Sequence, residues 1–368
     1  MKKHRSTRAA LARYARTAIA GAAFALLAAC GGGSDDNNST PAGGIKLQVV
    51  SFGDSLSDAG TYAPVAAANF GGGRFTTNPG QVWVQDVAQY YGDTLTPAMT
   101  GGFGTPPTAQ AGFGYAQGGS RVSNPIGIGH RGTDPANYAG ALTVPVSTQV
   151  TNYLSSHGSF NAGQLVIVNG GANDILYNLT AVQAGQMTPA QATAAIGQAA
   201  IDLAGIVGKI VQSGATHVLV SNVPDIGTTP QGMMSTPTTR ALLSQASLGF
   251  NQALAAALTQ TGLMSKVIFL DIVGPLANIT ANYQQYGFAV SNTGTGCNLQ
   301  AMAAAAKGYG EPNPSDFATS LFCSPQTRTT ADADQTYMYA DTVHPTTHLH
   351  ALYAQTAEQK IAAAGLGK

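Results

Sequence analysis

The sequence predicts an α/β fold built on a central parallel sheet, and three observations lead there. Four short apolar runs each give way at once to polar loop residues, as strands do when both faces are buried and a site lies at their C-terminal edge. Stretches with helical periodicity separate them. Apolar residues make up 44% of the chain, enough for a full core, while charged residues make up 9%, against roughly 25% in an average soluble protein.

The elements follow in order. Residues 45–52 (IKLQVVSF) read as a first buried strand that runs into Gly53-Asp54-Ser55. Residues 165–169 (LVIVN) repeat the design and lead into Gly170-Gly171-Ala172-Asn173-Asp174. Residues 217–221 (HVLVS) lead into Asn222-Val223-Pro224-Asp225, and residues 267–271 (VIFLD) end in an acid. Thr188-Pro189-Ala190-Gln191 is a capping box with proline at the first helical position. Ile196, Leu203, Ile206, Val207 and Ile210 follow at helical spacing until Gly214 stops the run. A second helix is expected over residues 239–261 and a last one over 347–364. Segments 70–161 and 278–334, rich in Gly, Pro, Asn and Thr, read as long loops around one edge of a single domain.

Seventeen Lys and Arg balance seventeen Asp and Glu, but not evenly along the chain. Lys2, Lys3, Arg5, Arg8, Arg13 and Arg16 all precede the first acid, Asp35. From residue 30 onward, eleven basic residues therefore face seventeen acidic ones, a net charge of −6. A mildly acidic body without a basic stripe excludes a nucleic-acid binder, and the low charge excludes a coiled coil.

The basic start is followed at residues 17–29 by about thirteen small and apolar residues, too short for a bilayer span of roughly 20. Leu27-Ala28-Ala29-Cys30 resembles the bacterial lipoprotein box. That implies a signal peptide over residues 1–29 and a palmitate-type lipid on Cys30. A plain cleaved signal with an incidental cysteine is the other reading. Residues 30–44 then form a flexible tether. Gly31 after the cysteine implies an outer-membrane lipoprotein of the cell envelope, facing the periplasm or the surface, or released from it. Cys297 and Cys323 remain. An oxidising compartment favours a disulfide between them, closing a loop of about 26 residues and contributing roughly 3–4 kcal/mol. A metal site is the weaker reading, since neither a CxxC nor a nearby His accompanies them.

The chemistry-bearing residues lie in four separate patches: FGDSLSDAG (52–60), YAQGGSRV (115–122), GGANDI (170–175) and DTVHP (341–345). In sequence and in order these resemble the four blocks of the GDSL, or SGNH, hydrolases, and the resemblance extends over about residues 45–364. VPDIGTTP (223–230) brings the match closest to the bacterial esterase and phospholipase branch. The resemblance implies a three-layer α/β/α sandwich of flavodoxin-like type over residues 45–368, with no metal and no cofactor. It also implies Ser55, Asp341 and His344 as catalytic residues. The oxyanion hole would be the Ser55 N–H, the Gly119 N–H and the Asn173 amide. Ser120 is a departure, because the family often has Ala there. Relatives with a C-terminal membrane barrel need about eight strands after the catalytic domain. The residues after the last helix leave no room for one, so attachment is expected at Cys30.

The residue types fit the chemistry on their own account. A serine hydroxyl is a weak nucleophile unless a base accepts its proton. His344 can serve as base and then as acid for the leaving alcohol, and Asp341, three residues earlier, can orient the ring and stabilise its cation. The bland readings are that Ser55 or Asp341 caps a helix and that His344 is a surface residue beside His348 and His350. His344 and His348 are spaced for a metal, but no Glu lies between them. Asp54, Asp58 and Asp174 read as caps and loop ties, and Trp83 as core. Gly127-Ile128-Gly129-His130-Arg131-Gly132 matches GxGxxG, yet Pro125 and Pro135 flank it, so it reads as a loop.

The expected function is therefore a serine ester hydrolase of carboxylesterase or lipase type, acting through an acyl-enzyme on Ser55. A phospholipase, lysophospholipase or glycan O-acetyl esterase is the alternative, and a catalytically silent surface-binding lipoprotein the non-enzymatic one. Scattered aromatics between Phe70 and Tyr115 point to an apolar cleft and to acyl-chain esters. The expected partners are a small-molecule or lipid ester and, through the lipid anchor, the membrane, with the protein a monomer.

Overall fold

Alternation along the strands decides the layers. The structure, a computed structural model, describes residues 40–132, 134, 136–308 and 313–368. They hold six strands: β1 (Gln48–Phe52), β2 (Met99–Gly102), β3 (Thr105–Ala109), β4 (Gln164–Val168), β5 (His217–Ser221) and β6 (Ile268–Leu270). The four expected runs pair in the order β1-β4-β5-β6, all parallel, with Val50 opposite Val166 and Val166 opposite Val218. Successive side chains take opposite faces. Val50, Phe52, Val166, Val168 and Val220 join one core cluster, while Val49, Leu165, Ile167 and Leu219 join another. β2 and β3 form a separate antiparallel hairpin.

The helices complete the sandwich. In chain order they are α1 (Ala63–Phe70), α2 (Trp83–Tyr90), α3 (Val146–His157), α4 (Ala172–Gln183), α5 (Pro189–Gln212) and α6 (Pro230–Met234). There follow α7 (Pro237–Gln260), α8 (Val273–Ala281), α9 (Leu299–Gly308), α10 (Ala333–Thr336) and α11 (Thr347–Ala363). On one face, α3, α5 and α7 supply Val150, Leu203, Val207, Phe250 and Leu254. On the other, α2 and α11 supply Trp83, Val84, Val87, Ala357 and Ile361. Each fully buried Val, Leu, Ile or Phe among them contributes roughly 1.5–3 kcal/mol. This is the three-layer α/β/α arrangement around a parallel sheet.

Local signals place several boundaries well. The Thr188 side chain accepts from the Gln191 N–H, while Gln191 Oε1 accepts from the Thr188 N–H at 2.9 Å. α7 starts at Pro237, two residues before the expected position, because Thr236 caps it. α11 is capped by Thr346, whose Oγ1 accepts from the Leu349 N–H at 3.4 Å. Asp341 therefore is not its cap.

Elsewhere the structure corrects the reading. Segment 70–161 is not only loop: it contains α2, α3 and the β2–β3 hairpin, and segment 278–334 contains α9. α2 and α3 have weak local signals, since neither Val82 before α2 nor Pro145 before α3 caps with its side chain, whereas Asn298 caps α9, its Oδ1 accepting from the Ala301 N–H at 2.9 Å. Packing holds α2 instead, with Trp83 stacked on Tyr353 at 4.5 Å between ring centroids. The expected tether also ends earlier than residue 44. The Gly43 N–H donates to Tyr90 O, and Gly43 O accepts from the Lys368 N–H at 3.0 Å. Those bonds pin Gly43 between the end of α2 and the residues after α11. The proposed signal peptide, Cys30 and the rest of the tether lie outside the described residues. Cys297 and Cys323 form a disulfide, with Cα atoms 5.8 Å apart and both residues fully buried.

α2 and α11 also bring two carboxyls together. Burial pushes Asp86 up to about 6. Burial, and then the charge of Asp86, push Glu358 up to about 7. Asp86 Oδ2 is buried and has no hydrogen-bond partner among the described residues. Both groups hold protons in the folded chain that the unfolded chain releases at lower pH. Stability from this pair is therefore complete below about pH 4 and is lost as pH rises toward about 7. Asp86→Asn is expected to flatten the fall of Tm across that window, read by thermal denaturation at a series of pH values. An unchanged slope would refute the assignment.

Candidate active site

Three chain segments converge beyond the C-terminal ends of β1 and β4. β1 ends at Phe52, and Gly53 makes a turn that no other residue fits: a Cβ there would lie 2.1 Å from Asn169 Oδ1. Gln149 of α3 clamps this turn, its Oε1 accepting from the Gly53 N–H and its Nε2 donating to Gly53 O, both at 2.8 Å. Ser55 then opens a short 3-10 turn, Ser55–Ser57, capped by Asp54, which accepts from the Leu56 N–H.

A chain of buried hydrogen bonds fixes that turn. Asn169 Nδ2 donates to Asp54 Oδ1 at 2.8 Å, Ser57 Oγ to Asn169 Oδ1 at 2.6 Å, and Trp83 Nε1 to Ser57 Oγ at 3.1 Å. Burial pushes the Asp54 carboxyl up, against the opposing pull of the Leu56 N–H, Asn169 and the His344 charge. Burial likewise raises Asp58, whose carboxylate accepts from the Gly60, Thr61 and Gly118 N–H groups. Asp54 and Asp58 thus act as loop ties.

The second segment is a tight return between Met338 and Thr346, closed by the Ala340 N–H on His344 O at 2.8 Å. Asp341, 2% exposed, is surrounded by donors. Its Oδ1 accepts from the N–H groups of Val343 and His344, and its Oδ2 from the Ser320 N–H at 2.6 Å. His344 Nδ1 lies 2.7 Å from Asp341 Oδ2, and His344 Nε2 lies 2.8 Å from Ser55 Oγ. Burial alone would raise the Asp341 carboxyl, but the His344 charge and these hydrogen bonds outweigh it and hold it well below the usual range. The Phe75 ring packs on the imidazole at 4.9 Å.

The third segment comes alongside β1, where Ser51 pairs with Gly114 and accepts from the Tyr115 N–H at 2.8 Å. That pairing carries Gly118 and Gly119 to Ser55. Gly119 has φ +80°, and a Cβ would lie 2.0 Å from Ile128 O, so only glycine fits. Asn173, in the first turn of α4, donates one amide hydrogen to Ser120 O at 2.9 Å. Asp174 accepts from Arg121 Nε and the Val122 N–H, tying the two segments together. Ser120, where alanine is usual, donates from Oγ to Val144 O at 2.8 Å and leaves the Gly119 turn intact.

Ser55, Gly119, Asn173, Asp341 and His344 all border one cavity of about 410 Å³. Of the scattered aromatics, Phe75 and Phe103 line it. Phe70 packs instead on Phe317 and Phe322, and Tyr90 and Tyr91 bond the C-terminal residues. Leu276, Ile279 and Leu321, in or near stretches that read as loop, add to the apolar wall, as does Leu176 of α4. The GxGxxG stretch is a loop, and its Ile128 and Gly129 line the same cavity.

The other histidines stand apart from this chemistry. His348 Nδ1 is 2.8 Å from Gln335 O. Buried His350 accepts from the Trp83 N–H at 3.2 Å and is pushed down to about 3, mainly by burial. No group of three or more metal-ligating side chains occurs among the described residues.

Sequence reasoning missed Asn169, Gln149 and Ser320. Asn169 had a usable signal, a polar residue closing a buried strand. Gln149 lay in a stretch read as loop, and Ser320 acts only through its backbone.

Two comparisons bear on these residues. The family model for GDSL-like lipase/acylhydrolase matches residues 49–356, from β1 into α11. An uncharacterized protein of the trpE-trpG intergenic region of Pseudomonas putida is 29% identical over 283 residues, or 72% of this chain. The chain covers 42% of that relative's length.

Proposed function

Because the chain belongs to the GDSL-like lipase/acylhydrolase family, we propose that it is a carboxylic ester hydrolase working through an acyl-enzyme on Ser55. The observation that carries this reading is the unbroken line from Asp341 Oδ2 through His344 to Ser55 Oγ, at 2.7 and 2.8 Å. In this reading His344 Nε2 takes the hydroxyl proton as Ser55 Oγ attacks the ester carbonyl. Asp341 stays ionised and stabilises the imidazolium. The Ser55 N–H, the Gly119 N–H and the second Asn173 amide hydrogen meet the oxyanion, each donor contributing roughly 3 kcal/mol in the transition state. Collapse expels the alcohol with the proton from His344, and water, activated by the same imidazole, then frees Ser55.

The apolar cavity supports acyl chains longer than acetyl as substrates. The lipobox at Cys30 supports an N-terminal lipid anchor in the cell envelope, ahead of the hydrolase domain.

A fluorophosphonate probe is expected to label wild type but not Ser55→Ala. On p-nitrophenyl esters from acetyl to palmitoyl, turnover should favour the medium chains. Absence of labelling would sink the acyl-enzyme, and a preference for acetyl the chain-length reading. Asn173→Ala is expected to lower kcat by roughly 10²- to 10³-fold with little change in KM; near wild-type turnover would remove Asn173 from the oxyanion hole. Cys30→Ser should move esterase activity from the membrane pellet to the soluble pool on cell fractionation. Equal partition of the two forms would show that no lipid is attached there.

A further inference from the structure

Asp341 is held from two sides, and a covalent bond joins those sides. On one side, Asp341 Oδ2 accepts from the Ser320 N–H at 2.6 Å and lies 2.7 Å from His344 Nδ1. Ser320 opens a short 3-10 turn, Ser320–Phe322, which the Cys323 N–H closes on Ser320 O at 3.0 Å. On the other side, the chain enters Asp341 from Tyr339 and Ala340. The Cys297 N–H donates to Ala340 O and the Gly296 N–H to Tyr339 O, both at 2.8 Å. The Cys297–Cys323 disulfide thus links the residue bonded to Ala340 with the residue bonded to Ser320.

These contacts close into a ring that runs from Asp341 through Ser320, Cys323, Cys297 and Ala340 back to Asp341. The disulfide is the covalent crosslink in that ring. Along the chain, by contrast, the two cysteines lie 26 positions apart with α9 between them. Ser320, Cys323, Cys297 and Ala340 are all fully buried, and the last three share one core cluster with Phe317 and Phe322. Ser320 meets Asp341 through its backbone, so no side-chain rotation can make up for a shift of the turn. Without the crosslink, only hydrogen bonds and packing keep the two sides in register. A misplacement of about 1 Å far from the chemistry can cost roughly 10²-fold in rate.

We propose that the Cys297–Cys323 disulfide is a positioning element of the active site, setting the Ser320 N–H on Asp341 so that the carboxylate can orient His344. The inference rests on the ester-hydrolase reading above. With the crosslink gone, the chain is folded but slow: Asp341 Oδ2 loses its fixed donor beside the imidazole, and His344 loses its aim at Ser55.

The test is a double-mutant cycle on the full chain. Cys297→Ala/Cys323→Ala is expected to keep the far-ultraviolet circular dichroism of wild type at assay temperature. Its kcat on p-nitrophenyl octanoate should fall by roughly 10²-fold with a much smaller change in KM. In an Asp341→Asn background, whose residual rate comes from the oxyanion hole and binding, the same pair of changes should cost little more, because the group that the crosslink positions is already gone. A purely structural crosslink would instead cost the same factor in both backgrounds. That result, or undiminished kcat in the double cysteine variant, would overturn the proposal. So would a double variant that does not fold, since the bond would then hold the chain and not the site. If wild type neither cleaves the ester nor takes a fluorophosphonate on Ser55, the hydrolase reading fails and the proposal with it.

Discussion

The buried Asp341 carboxylate is the constraint around which the rest is arranged. An ionised carboxylate in so little contact with water is tolerated only where donors replace the lost solvation. Four do so: the N–H groups of Ser320, Val343 and His344, and the His344 ring. Three come from its own tight return, which therefore must keep its shape. The Ser320 donor comes from another segment, and Asn78 Nδ2 in turn donates to Ser320 O at 3.0 Å. The Cys297–Cys323 disulfide closes just beyond it, within a cluster that includes Phe317 and Phe322. The loops that build the cavity wall are thus the same loops that keep Asp341 charged.

A comparable arrangement holds the serine. Position 55 is set by a hydrogen-bonded line that runs from Asp54 through Asn169 and Ser57 to Trp83, and Trp83 stacks on Tyr353 of the last helix. Each polar member is buried and satisfied by the next, so the line is rigid as a unit. It joins the first strand, the second strand of the parallel sheet, and both helices of one outer layer. The hydroxyl of Ser55 is left facing His344, while its neighbours hold the backbone.

The cavity owes its character to a different source. Its polar end belongs to the loops at the strand ends, as expected where parallel strands stop together. Its apolar walls include α8, the residues around Phe322 and the loop near Ile128, which are remote from one another in sequence. The sheet supplies the chemistry, and the long segments beside it supply the shape.

How much of this was legible beforehand follows from range. Strand runs that end in polar residues, the Thr188 capping box and the four ordered patches are local patterns, and the sequence alone was enough to name Ser55, Asp341 and His344 as candidates. It could not bring Ser55 Oγ to His344 Nε2, which are separated by 289 positions. It also hid α2 and α3, which follow Val82 and Pro145, residues that do not cap with their side chains, and whose stability comes from the surfaces they cover. The Ser320 N–H and the Gln149 clamp carried no signal, because backbone groups and isolated polar residues look alike everywhere in a chain. Residue type and local period are written into the sequence directly. Which distant groups satisfy one another is decided only when burial makes an unpaired polar atom costly, and that happens in the folded chain.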